Sequence, residues 1–196
     1  MIYADLHIHT VYSSDSLIQP KTIVDMLGAH SFIKVAAVTD HGSVRGCRVT
    51  MELAKAYPDV LIVPGVEITT QFGDVLVLGT EELPPRPWSP EAVVDWAKSV
   101  GAVSVAAHPF REYGLGDLAR NYRFDAVEVL NGHASPTQND EAKALAKSMN
   151  LPGTAGSDAH EVSELFKVNT EIDAALNVES VLKAIKKGLV SAKKNR

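Results

Sequence analysis

Apolar residues come in short blocks separated by polar, glycine or proline positions. IYADLHI over 2–8 reads as a strand, and PKTIVDMLGA over 20–29 as a helix with Pro20 in its first turn. KVAAVT (34–39) reads as a second strand, and GCRVTMELAKA (46–56) has helical spacing. VLIVPGVEI (60–68) and DVLVLG (74–79) follow as strands, and ELPPRPWSP (82–90) is the strongest loop signal. Ser89 and Pro90 then suit the cap and first turn of a helix over about 90–100. Strands are expected at 102–108, 125–130, 153–156 and 168–172, and helices at 136–149 and 178–188. No motif repeats at a fixed period and no segment is of low complexity.

Strands alternating with helices point to an α/β protein with a parallel, helix-covered sheet. About seven such units fit a closed or nearly closed TIM-like barrel. At 196 residues the chain is short for a full eight-unit barrel, which takes roughly 250, so a trimmed or irregular barrel is expected. An open doubly wound sheet is the structural alternative. The whole chain, 1–196, reads as one domain.

Composition narrows the setting. No apolar run is long enough to span a bilayer, and the N-terminus lacks the basic flank and cleavage site of a signal peptide, so a cytoplasmic location is expected, with no membrane partner. The single cysteine, Cys47, fits a reducing compartment. A net charge of −5 disfavours long nucleic acid as a partner. The basic C-terminal run of Lys186, Lys187, Lys193, Lys194 and Arg196 reads as a helix end and a solvated tail.

Chemistry gathers at the strand ends. His7 and His9 stand at i and i+2 on one strand, where simple alternation puts Asp5, His7 and His9 on one face. The second strand ends in Asp40 and His41, the third carries Glu67, the strand at 102–108 ends in His108, and TAGSDAH ends in Asp158 and His160. Five of the seven histidines thus sit at strand ends with carboxylates nearby, and in an α/β barrel those ends converge on one face. Imidazole and carboxylate donors in that number point to a metal site. His30 reads as an exposed helix cap, and His133, after LNG, as a loop residue.

DLHIHT (5–10), TDHG (39–42), Glu67, AHP (107–109) and GSDAH (156–160) together resemble the PHP family, the polymerase-and-histidinol-phosphatase superfamily of metal-dependent phosphoesterases. The resemblance runs over nearly the whole chain and implies a distorted (β/α)7 barrel. It implies two to three divalent ions. His7, His9, Glu67 and Asp158 would hold the first, Glu67 and His108 the second, and Asp15, His41 and His160 the third. Related sequences place a further histidine where Leu76 stands, so the second ion is a ligand short, with water, His133 or Asn131 to complete it. The implied activity is hydrolysis of a small phosphate ester or nucleotide by attack of metal-bound hydroxide.

Histidine-rich ligation favours zinc, manganese or iron over magnesium. Arg111, three residues after His108, is the candidate catalytic cation for holding phosphate, with Arg45 a weaker one. Asp5 and Asp40 are expected to sit behind the ligands and orient their imidazoles. Two alternatives remain. One is amidohydrolase-type C–N hydrolysis, which usually has a bridging lysine where Glu67 stands here. The other is a metal-bound regulatory domain without turnover.

Overall fold

This computed structural model describes residues 1–195. Arg196, counted above in the basic run, lies outside them. The strands are β1 (Ile2–Ile8), β2 (Ile33–Val38), β3 (Leu61–Thr69), β4 (Asp74–Leu78), β5 (Val103–Ala106), β6 (Ala126–Asn131), β7 (Gly153–Gly156), β8 (Val168–Ile172) and β9 (Val190–Lys194). The α-helices are α1 (Pro20–Ala29), α2 (Arg45–Ala54), α3 (Pro90–Ser99), α4 (Pro136–Met149) and α5 (Val178–Lys186). The strands form one sheet in the order β7-β6-β5-β4-β3-β2-β1-β8-β9, curled into a nearly closed barrel.

Pairing of β1 explains the closure. Its first half, Ile2–Ala4, pairs antiparallel with β8. Its second half pairs with the chain just after β7: Ile8 bridges Ala159, Asp158 N–H donates to His7 O at 2.7 Å, and His9 N–H donates to Ala159 O at 3.0 Å. Residues 157–160 therefore bring the far edge of the sheet back to β1.

Strand directions depart from strict βα alternation. β3 and β4 run antiparallel because only the short turn after Thr69 joins them and leaves no length for a crossover helix, and β4 also runs antiparallel to β5. β8 is antiparallel to both β1 and β9. β9 corrects the expected solvated tail: Lys193 and Lys194 belong to a strand whose partners are Asn169 and Val168.

One apolar cluster fills the barrel: Leu6, Val35, Ala37, Val63, Leu76, Leu78, Val103 and Val105, closed below by Val181, Ala184 and Ile185 of α5. A second lies under the outer helices, with Ile23, Leu27, Val66, Ile68, Val93 and Leu145. Burying each valine, leucine or isoleucine among them contributes about 1.5–3 kcal/mol. The helix starts follow the sequence reading. Ser89 Oγ accepts Ala92 N–H, and Ser135 with Gln138 forms a capping box ahead of α4. No helix of the described residues is long and apolar enough to cross a membrane.

Candidate metal centre

The site lies where the C-terminal ends of β1, β2, β5 and β7 meet the interior faces of β3 and β4. β1 carries a register shift. Asp5 stands opposite Ala36 and Ile8 opposite Val38, three steps against two. That break ends the simple alternation expected from sequence. His7 and His9 both reach the interior, while the Asp5 carboxylate accepts backbone N–H groups of Ser157 (2.8 Å), Phe166 (3.2 Å) and His7 (3.4 Å).

Three groups of donors result. His7, His9, Glu67 and Asp158 form the deepest, all buried. His7 Nε2 lies 3.1 Å from Glu67 Oε2 and 3.3 Å from Asp158 Oδ1, and His9 Nε2 lies 3.1 and 3.2 Å from the same two oxygens. The two imidazole nitrogens are themselves 3.1 Å apart. The second group is Glu67, Asp74 and His108: His108 Nε2 is 3.0 Å from Glu67 Oε1 and 3.9 Å from Asp74 Oδ2. The third is His9, Asp15, His41 and His160, with Asp15 Oδ2 at 3.4 Å from Nε2 of both His41 and His160. Glu67 thus turns one oxygen to each of the first two groups.

This donor chemistry fits divalent cations. Two imidazole nitrogens and two carboxylate oxygens converge on one point, an arrangement that repels itself unless a proton or a cation lies between. Asp74 Oδ1 and His108 Nδ1 are buried with no hydrogen-bond partner. His108 and Asp158 also hold positive φ values, 24° and 56°, uncommon for residues other than glycine, though Asp and His take them more readily than most.

The electrostatics show how tightly the groups are coupled. Burial alone would raise Glu67 and Asp158, but the adjoining imidazoles outweigh it and hold both carboxyls well below their ordinary range. Burial pulls His9 down, yet its bonds to Asp158 and Glu67 push it up to about 9. Burial, then the nearby Glu67 charge, pushes Asp74 up to about 6.

Several sequence expectations need correction. Neither Asp5 nor Asp40 is hydrogen-bonded to an imidazole; Asp40 accepts the Thr10 N–H at 2.6 Å and the Thr10 hydroxyl. Glu128 and Ser13 stand behind the rings instead. Glu128 Oε1 lies 3.0 Å from His7 Nδ1 and Oε2 accepts the His108 N–H at 2.8 Å, while Ser13 Oγ lies 3.2 Å from His9 Nδ1. A carboxylate can only accept, so His7 Nδ1 donates and its Nε2 lone pair faces inward. Beside the gap left by Leu76 stands Asp74, not His133 or Asn131. Leu76 pairs with Glu67 within the apolar barrel interior.

Arg111 lies at the mouth, where Nη1 bonds Asp158 Oδ2 and reaches Asn131 Oδ1 at 3.4 Å. It lines a cavity of about 350 Å³ together with Asp15, His41, Glu67, Asp74 and Asp158. Arg45 lies over the Tyr12 ring, 5.3 Å from its centroid, and does not line that cavity. His30 caps α1 as expected, its Nδ1 accepting the Ile33 N–H at 2.9 Å.

A PHP-associated family profile matches residues 136–190. An uncharacterized protein of Methanocaldococcus jannaschii is 35% identical over 142 residues, covering 66% of this chain and 82% of the relative. A second from the same organism is 27% identical over 186 residues, covering 89% of the chain and 72% of the relative. Among solved structures, a two-domain Bacteroides vulgatus protein containing a predicted PHP-like metal-dependent phosphoesterase superposes with a TM-score of 0.83 at 20% identity, over 99% of this chain. The chain spans 65% of that protein's length. An amidohydrolase from Chromobacterium violaceum gives 0.67 at 17% identity, over 81% of this chain and 87% of its own. The chain belongs to the PHP (polymerase and histidinol phosphatase) superfamily.

Proposed function

We propose that this chain hydrolyses phosphate esters of small molecules using divalent ions. His7, His9, Glu67 and Asp158 would hold one ion, Glu67, Asp74 and His108 a second, and Asp15, His41 and His160 a third. The observation that carries the reading is Glu67, fully buried, with Oε2 turned to one donor group and Oε1 to another. That is the arrangement a two-ion centre for phosphoryl transfer needs. Imidazole-rich ligation suits zinc, manganese or iron.

Bound ions in such a site polarise phosphoryl oxygens and make water acidic enough to act near neutral pH. The chain's own residues prepare the rest. Glu128 fixes the His7 tautomer and holds the backbone of His108 through its N–H. Arg111 has spent only Nη1 on Asp158 and Asn131, so its other guanidinium donors remain for a phosphoryl oxygen at the cavity mouth. A cavity of about 350 Å³ suits a small ester or a nucleotide.

The test is hydrolysis of a chromogenic phosphate ester by chelator-stripped protein with manganese or zinc restored. Metal-dependent release of the chromophore is expected. No ester cleaved under any metal would sink the proposal. The amidohydrolase reading is disfavoured because no lysine lines the cavity. Turnover of amides or lactones faster than esters would reverse that order. Metal uptake and partner binding without turnover would favour a regulatory role.

A further inference from the structure

A fourth set of donors stands at the mouth: His133, His160 and Glu164 offer ligand atoms within 4.8 Å of one another. His133 Nε2 lies 3.2 Å from Glu164 Oε2. Two ligands on one tetrahedral zinc lie about 3.4 Å apart, given zinc–ligand bonds of roughly 2.0–2.2 Å. Glu164 is held there by its own turn, since Oε2 accepts the N–H groups of His160 (2.9 Å) and Glu161 (3.0 Å). His133 is held by its N–H, which donates to Asn131 Oδ1 at 2.9 Å. These three side chains are 18–30% exposed, unlike the buried ligands of the first group, so ions exchange freely with solvent.

His160 belongs to two groups at once. Its Nδ1 lies 2.7 Å from the Asp158 carbonyl oxygen, which can only accept, so Nδ1 carries the proton and one lone pair remains. While that bond is kept, His160 serves either Asp15 and His41 or His133 and Glu164, not both.

Resting on the hydrolase reading above, we infer that His133, His160 and Glu164 form a weak inhibitory ion site that takes His160 from the third ion. Excess zinc then fills the mouth and stops turnover.

The test uses the chelator-stripped 196-residue chain, with zinc alone as the probe. Zinc uptake is followed by equilibrium dialysis with elemental analysis, and ester hydrolysis over the same zinc range. Wild type should take up tight zinc first, then one weaker ion whose binding coincides with falling activity. His133→Gln should weaken that last ion by about tenfold or more and move inhibition to higher zinc by the same factor, leaving tight zinc unchanged. Glu164→Gln should do likewise. Wild-type affinity for the last zinc in both variants, or unchanged inhibition, overturns the inference. Ester hydrolysis that never appears overturns the hydrolase reading instead. Weak zinc that His133→Gln still removes would then support the mouth site independently.

Discussion

Asp74 begins β4 two residues before Leu76, and both face the barrel interior. Asp74→Asn is expected to lower bound metal by one equivalent, leaving the His7–His9 ion in place, as elemental analysis would show. Glu128→Gln should weaken metal affinity by about 10–100-fold, because an amide has one acceptor oxygen where Glu128 uses two, one for the His7 ring and one for the His108 N–H. Arg111→Ala should lower kcat/KM for esters by about a hundredfold, and Arg111→Lys should restore only part, since a lysine cannot fork onto phosphate. The candidate ligands at strand ends were readable because apolar runs end in them. Asp74 was not: the sequence reads it only as the first residue of a strand, and only the β3–β4 hairpin register sets it near Glu67. Glu128 was hidden for a related reason. In AVEVLN it reads as one charged residue on a strand, and sequence cannot say which face of the sheet it takes.

Local elements were mostly legible, and their directions were not. Helix starts carry chemical marks such as Ser135, Pro136 and Gln138, whereas an antiparallel β8 or a β9 made from VSAKK depends on which partner is free. The β1 register shift has the same character: nothing in IYADLHI announces it, yet it separates Asp5 from the imidazoles. β7 packs tightly against β1. A Cβ at Gly156 would collide with the His7 side chain and backbone and meet Glu128 Oε1 at 2.8 Å. Gly156→Ala should therefore displace His7, lowering both the melting temperature and the metal content. Unchanged metal content in a folded variant would show that β7 can give way.

Across the whole molecule, stability and ion binding are linked through protons. In the metal-free protein His9 is raised to about 9 by Asp158 and Glu67, above its ordinary 6.5. A raised folded-state value gives stability that is full below about 6.5 and lost as pH climbs through about 9. Metal-free protein should thus lose melting temperature over that window. Metal affinity should rise over the same window, because the ligand must shed its proton, so the gap between loaded and stripped melting temperatures widens. A ligand at a hundred times its Kd adds about 2.7 kcal/mol, a shift readily seen in a melting curve. The strap of residues 157–160 carries one more consequence. It completes the ring beside β1 and also bears Asp158 and His160, so an ion seated on those side chains would also hold the ring shut. Its amide protons, Asp158 N–H on His7 O above all, should exchange with deuterium quickly in stripped protein and slowly once zinc is restored. The protein's slowest local opening would then be timed by the departure of an ion.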